Sequence, residues 1–313
     1  MFRYIVNRVL TGIILIAVIS FLAYTLLYST AGDVGRRLLG MNASEAAVIA
    51  KNAELGLNRP VWESYMSWLA NAAVGDLGRS WFSGQAVVTA ISSRVGVTLT
   101  LVITATVLGG VIAVVIGVWS SRRRGWPDRL VQILAVFGFA VPSFLIALAL
   151  VLVFAVQLNW FAATGYIAPS QSIQGWLVTA TLPIIALTIG TIAGVAQQVR
   201  GSMIDMMRRD FVRTLRSRGT PEREVVYLHA LRNSAGPALS VLAVQFIGLL
   251  GGSVIVEQVF AIPGLGQIAV ASTVQGDIPL VMGLVLVTAV IVVVVNLAID
   301  LLQGWLNPKA RVS

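Results

Sequence analysis

The sequence predicts an all-helical integral membrane protein with six transmembrane helices, on three observations. The chain is 57% hydrophobic and 11% charged, whereas soluble domains carry about 25% charged residues; its mean hydropathy of +0.87 agrees. Apolar runs of the length needed to cross a bilayer, about 20 residues, recur along it. The basic residues cluster on alternate connecting segments, as the positive-inside rule requires. Cysteine is absent and there is one histidine, His229, so disulfides, thiolate metal sites and a histidine-built metal site are excluded. The net charge of +9 sits in short loops between spans, which argues against nucleic-acid binding.

The elements follow in order. Residues 9–28 are uncharged and form the first span. The basic start and the loose cleavage-like Ser29-Thr30-Ala31 would also suit a signal peptide, but the apolar run exceeds the usual 7–15 residues of such a segment. Residues 29–96 form a long external segment. In it Leu55-Gly56-Leu57-Asn58-Arg59-Pro60 reads as a helix end and a turn, and residues 61–70 as a short surface helix. The second span is 97–120. Residues 130–199 hold no charge and accommodate two spans, 130–156 and 177–199. The connector between them, 157–176, has Trp160, Phe161 and Tyr166 suited to the headgroup layer. The fifth span is 238–256 and the sixth 279–299. The chain thus divides into an N-terminal span plus external segment, 1–95, and a five-span core, 96–313, with a polar loop at about 200–236.

Charge sets the orientation. One set of segments holds Arg3 and Arg8; Arg122, Arg123, Arg124 and Arg129 against Asp128; eight arginines against four acids in 200–232; and Lys309 and Arg311 with Asp300. That is sixteen basic and six acidic residues, against six and seven on the other side. Both termini and both basic loops are expected in the cytoplasm.

The loop between the fourth and fifth spans is the informative one. Phe211, Leu215 and Val212 suit one face of a helix, with Arg213, Arg216 and Arg218 around it. Gly219 can end that helix in the left-handed conformation. Thr220 can cap the next, with Pro221 at its first position and Glu222 and Glu224 in its first turn. A bent two-helix projection and an ordinary basic loop fit these residues equally well. Pro142 and Pro183 fall within spans, where proline frees a carbonyl and bends the helix. Such bends serve either a pathway or packing. Gly109-Gly110 and Gly251-Gly252 allow close helix approach. Glu257 and Gln258 lie at the outer end of the fifth span, where an acid is costly and often functional. Gln197 and Gln198 close the fourth span and suit the inner end of a path. Asn296 and Asp300 suit helix packing, and His229 a loop hydrogen bond. No nucleophile–base constellation or Gly-x-x-x-x-Gly-Lys run is present, so the chain is not itself catalytic and has no means of hydrolysing ATP.

The run Asp210-Phe211-Val212-Arg213-Thr214-Leu215-Arg216-Ser217-Arg218-Gly219, followed by His229-Ala230-Leu231-Arg232-Asn233-Ser234, resembles the EAA loop of ABC importer permeases. The chain is similar to the B-type permease subunit of dipeptide and oligopeptide importers. Further matches are Leu55 to Pro60, Gly75-Asp76-Leu77-Gly78, Pro142-Ser143-Phe144, Leu182-Pro183, Arg200-Gly201-Ser202-Met203, Val256-Glu257-Gln258-Val259-Phe260, Pro263-Gly264-Leu265-Gly266 and Asn307-Pro308. Arg213-Thr214-Leu215 stands where the loop's nominal Glu-Ala-Ala would be, and Ala31-Gly32-Asp33-Val34 lacks both prolines of the turn that follows the family's first span.

The resemblance implies a coupling helix that docks on an ATPase, carried by Asp210, Phe211, Arg213, Thr214, Leu215, Arg216, Gly219 and Pro221. It implies path or gate roles for Pro142, Phe144, Gln197, Glu257 and Gln258. For Glu257, a structural or gate-lining role is set beside binding of a peptide's amino terminus. The implied partners are a homologous second permease subunit, two ATPase subunits holding ATP and Mg²⁺, an extracytoplasmic substrate-binding protein and the lipid bilayer of a prokaryotic plasma (inner) membrane. The implied cargo is a short peptide; nickel chelates, glutathione, haem and sugars are carried by related permeases. An ion-gradient-driven secondary transporter or channel is the reading from another class.

Overall fold

The computed structural model describes residues 2–123 and 125–306. Arg124, Asn307-Pro308, Lys309 and Arg311 lie outside the described residues, as does the side chain of Arg3. In chain order the helices are α1 (Phe2–Ser29), α2 (Val34–Leu39), α3 (Glu45–Glu54), α4 (Val61–Ala73), α5 (Val87–Arg122), α6 (Trp126–Ala140), α7 (Ser143–Leu150), α8 (Ile173–Met207), α9 (Asp210–Ser217), α10 (Glu222–Glu224), α11 (Leu231–Val259), α12 (Leu265–Gln275) and α13 (Ile278–Leu306). A π-helical turn, Val151–Gln157, extends α7, and another, Val225–Ala230, joins α10 to α11.

Among the described residues five segments are long and apolar enough to cross a membrane: Val6–Ser29, Val87–Arg122, Ile173–Met207, Glu222–Val259 and Ile278–Trp305. A sixth arises if Val131–Ala140 and Ser143–Gln157 count as one broken span, bent by 97°. The expected third span, 130–156, is therefore two helices rather than one kinked helix. The cause is local. Pro142 forces its predecessor out of the helical region, and Val141 is extended, with ψ 116°.

Two further boundaries differ from expectation. α5 starts at Val87, ten residues early, since the helix continues outward past the apolar run; there Ser92 and Ser93 donate to the carbonyls of Thr89 and Ala90 (3.2 and 3.1 Å). Its 36 residues make a rod of about 54 Å, longer than a hydrocarbon core of about 30 Å. α8 likewise runs on through Arg200 to Met207. The polar loop outside the long helices is thus shorter than 200–236.

The chain forms two compact units. Among the described residues the first comprises 98–262 and 294–306. Here α8 packs against α6, α7 and α11. Lipid tails are as apolar as leucine, so close van der Waals fit holds such helices together. The α8 face is accordingly rich in small residues, with Ala186, Ala193, Gly194 and Ala196 buried. On α5 the tightest fit is at Gly117. An added Cβ there would lie 2.8 Å from Val199 Cβ and 2.9 Å from the Ala196 carbonyl. Gly109 similarly abuts Thr191, whereas Gly251 faces open space, so only one of the two expected glycine pairs includes such a close approach.

The second unit comprises residues 2–97 and 263–293. Tyr24 of α1 and Tyr65 of α4 are buried together, ring centroids 5.7 Å apart, and Ser20 Oγ lies 2.9 Å from the Tyr65 hydroxyl. Asn52 accepts from Gly35 N–H and donates to the Gly32 carbonyl, both at 2.9 Å, which fixes the proline-free Ala31–Val34 turn. In Gly75-Asp76-Leu77-Gly78, Asp76 Oδ1 accepts from Gly78 N–H at 2.8 Å, and both glycines have positive φ. Asp277, buried, accepts from the Ser80 hydroxyl and from Trp81 N–H, and reaches Leu280 N–H in the first turn of α13.

Candidate coupling elbow and buried polar sites

Between α8 and α11 the chain makes a preformed elbow. α9 is eight residues long and ends in a Schellman motif: Thr220 N–H donates to the Leu215 carbonyl (3.1 Å) and Gly219 N–H to Arg216 (3.0 Å). Gly219 has φ +78°, the left-handed conformation expected of it. The helix cap that follows is displaced by one residue. Pro221, not Thr220, is the N-cap, with ψ 138°, and its carbonyl accepts from Val225 N–H. Proline lacks a side-chain acceptor, so the helix start has no side-chain cap.

A clasp takes that role. Arg216 Nε and Nη2 donate to Glu222 Oε2 and Oε1 at 3.0 and 2.7 Å, across the Gly219 turn. Arg216 thus holds the elbow shut instead of pointing outward. Arg213 lies 3.7 Å from Asp210, and both are exposed. Thr214 bonds its own helix through the Asp210 carbonyl. The apolar face also divides. Val212 is fully buried, α9 packs on Val225–Ala230, Leu215 is half-buried, and Phe211 remains 36% exposed. Because α10, the π-helical turn and α11 form one continuous segment, Glu222–Val259, the elbow sits on the end of a 38-residue rod. His229 lies 3.8 Å from Glu224.

Next to this elbow in sequence, but not singled out from it, is Arg200. Its guanidinium grips Asp128 of α6 through Nε to Oδ1 and through Nη2 to Oδ2 (2.7 Å). Ser120 of α5 and Gln132 donate to the same carboxylate at 2.8 and 3.1 Å. Hydrogen bonding from Arg200 holds the Asp128 carboxyl below the usual carboxylate range, against the opposing effect of desolvation. Asp128 therefore ties three helices. Sequence spacing gave no signal of it, since its partner lies 72 residues away.

The expected path residues do not form one cluster. Glu257 is fully buried and accepts from the Thr98 hydroxyl at 2.6 Å, while Gln258 beside it is exposed. The end of α11 is a second Schellman motif: Ile262 N–H reaches the Glu257 carbonyl and Ala261 N–H the Gln258 carbonyl, with Ala261 in the left-handed region at φ +49°. Pro142 is exposed and Phe144 half-buried at the α6–α7 break; Gln197 is half-buried on α8. A cavity of about 210 Å³ opens at that break, lined by Ser143, Gly190, Thr191, Gln245 and Gly252 among others. Gln245, which donates to the Gly190 carbonyl at 3.0 Å, was not among the expected path residues. Among the described residues no group of acids and histidine could hold a metal ion.

Comparison with known proteins places this architecture. A family model described as the binding-protein-dependent transport system inner membrane component matches residues 109–312, and the corresponding N-terminal family model matches residues 1–102. A protein of Brucella abortus (strain 2308), named as a peptide transport system permease protein, is 35% identical over 308 residues, covering 98% of both chains. The glutathione transport system permease protein GsiC of Escherichia coli (strain K12) is 33% identical over 315 residues, covering 99% of both. Among solved structures, an inward-facing MetNI methionine ABC transporter aligns with a TM-score of 0.53 at 22% identity, covering 67% of this chain and 93% of that one. That likeness concerns the fold alone.

Proposed function

The chain belongs to the family of binding-protein-dependent transport system inner membrane components, and on that premise we propose how it couples and what it carries. It is a permease component of an ABC importer and a multi-pass protein of the bacterial inner membrane; that membership displaces the ion-gradient alternative. We infer that α9 is the coupling helix. It would dock on a partner ATPase through exposed Phe211, Arg213 and Arg218, with both termini and this elbow in the cytoplasm. Two ATPase subunits would hold ATP and Mg²⁺, a second permease would complete the path, and an extracytoplasmic binding protein would deliver the cargo. Asp210, Thr214, Leu215, Arg216, Gly219 and Pro221 would shape the docking element rather than touch nucleotide.

The observation that carries this reading is the clasped elbow on the end of Glu222–Val259. A short helix fixed by a Schellman turn, a bidentate ion pair and a buried Val212 moves as one piece. A push on it reaches α11 directly, and α8 through the packing between those helices. Such rigid-body transmission is how a local closure becomes a change of access. Arg216 acts inside the elbow, so the surface offered to an acidic, apolar groove consists of Phe211 and the arginines at 209, 213 and 218.

Short peptides are the proposed cargo, since a full-length relative carries a peptide-permease name. Glutathione, itself a tripeptide, is the second reading, from the GsiC relative. Two measurements test the whole. The chain has no cysteine, so a single cysteine at Phe211 or Arg213 can be cross-linked in the intact complex, where the ATPase should be the product. Uptake of labelled peptides and of glutathione in proteoliposomes should require ATP and stop when the ATPase lysine is replaced. A cross-link only to other proteins, or uptake without ATP, would overturn the reading.

A further inference from the structure

Within the first unit, α5 carries an open apolar stripe that ends in charge. Val107, Val111 and Val115 are 59, 59 and 65% exposed, and Trp119 continues the same face. These residues recur every four positions, so they lie one above another on the helix. At helical rise Val107 to Trp119 spans about 18 Å, close to one leaflet of a hydrocarbon core of about 30 Å. The stripe forms one wall of a groove of about 510 Å³ whose other wall is α11, through Leu231, Ala238 and Leu242, and whose floor is α8, through Val195 and Val199. A second cleft of about 670 Å³ shares Val114, Val115 and Leu231 with it, and is lined further by Trp119, Arg122, Arg123 and Tyr227. The two are one continuous channel: apolar along its length and basic and aromatic at its mouth.

The charge at the mouth is not consumed internally. Arg123 stacks over Trp119 at 5.9 Å, a contact that leaves its charge in place. Glu222, the acid that senses Arg122, is held by Arg216 in two hydrogen bonds. Asp128, beyond the end of α5, is held by Arg200. Among the described residues neither Arg122 nor Arg123 has a carboxylate within ion-pair distance, and the nearby Glu222 is already bound to Arg216. A long apolar slot ending at arginines, a tryptophan and a tyrosine has the polarity of a phospholipid read from tail to headgroup, and basic pockets between membrane helices hold anionic headgroups in this way. Tyrosine and tryptophan favour that same boundary.

We propose that this channel is a binding site for one anionic phospholipid, its acyl chain along Val107–Val111–Val115 and its phosphate at Arg122 and Arg123. The site would make assembly or turnover of the importer depend on acidic lipid.

The test uses the intact importer complex. Native mass spectrometry from mixed micelles of phosphatidylglycerol and phosphatidylcholine should show one retained phosphatidylglycerol per copy of this chain. R122Q/R123Q should weaken its retention by roughly 25-fold, about fivefold per arginine. Val111→Trp, which fills the slot and leaves the charge, should also release it. All three positions are exposed, so assembly of the complex is the check that each variant folds. A single cysteine at Val111 should react with a lipid-soluble maleimide. Equal retention of the two lipids, equal retention by R122Q/R123Q, or displacement by inorganic phosphate alone would overturn the proposal. So would protection of the Val111 cysteine by cross-linking to another subunit.

Discussion

Replacing Gly219 by valine isolates the elbow from everything around it. Beyond the two neighbouring residues no atom lies within 4 Å of the position a Cβ would take, so the added β-carbon itself meets no collision. What remains is backbone strain. At φ +78° an L-residue sits in the left-handed region at a cost of about 1–2 kcal/mol, and a β-branched side chain is a marked outlier there. The turn's counterweights are two Schellman hydrogen bonds and the Arg216–Glu222 clasp. The clasp's side chains are 47 and 46% exposed, which limits such a pair to roughly 0–1 kcal/mol. The strain thus rivals what closes the turn, and an uncapped α9 is expected to populate open forms about 5- to 30-fold more. The helices on either side bury none of this strain, so expression and the midpoint of thermal unfolding should change little. The assay is binding-protein-stimulated ATP hydrolysis and peptide uptake by the reconstituted complex. Gly219→Val should lose most uptake per ATP, while Gly219→Asn, whose side chain tolerates the left-handed region, should retain it. Full uptake by the valine variant, or equal loss in the asparagine variant, would refute a role for the turn's conformation.

Three other outcomes follow from the packing. Asp128→Asn should remove about 2 kcal/mol, the scale of hydrogen bonds to a charged group, read as a lower unfolding temperature in detergent. Because the folded carboxyl lies below its unfolded value, its contribution is complete above the unfolded carboxylate range near 3.9 and fades as pH falls through the folded one. Asp128→Asn should therefore flatten the acid limb of a stability–pH curve and leave the slope between pH 6 and 8 unchanged. Gly117→Ala should destabilise by about 1–3 kcal/mol through overpacking, since the Ala196 carbonyl that it meets is backbone; an unchanged unfolding midpoint would contradict the α5–α8 contact. Ala261→Gly should stabilise by about 1 kcal/mol, by releasing left-handed strain at φ +49°, and a lower midpoint would show that the alanine side chain packs more than it strains.

Some of the site was legible because its signals are local. Gly219 suits a left-handed helix stop, but residue spacing left the Asp210–Ser217 helix and an ordinary basic loop equally open, and it was the family resemblance that favoured the helix. The break at Pro142 was legible as a bend, but its sharpness was not, since a proline fixes its neighbour's dihedrals and not the direction the chain then takes. The early start of α5 was not legible, because an apolar run marks where a span can begin and not how far the helix continues beyond it through Ser92, Ser93 and Arg94. The resemblance set Arg216 among the docking residues, because nothing local distinguishes a docking arginine from one that closes its own turn.

Apolar run lengths, the arginine bias and the punctuation of Gly and Pro are properties of neighbouring residues, and from them the sequence alone determined a multi-span helical chain with a basic polar segment before its fifth span. Only tertiary structure decided that Arg200 would find Asp128, that Glu257 would accept from Thr98, that Gly117 would lie against Val199, and that a valine stripe would open onto two arginines. Those pairings join residues far apart in the chain, and their energies depend on distances of a few ångströms that no spacing along the chain encodes.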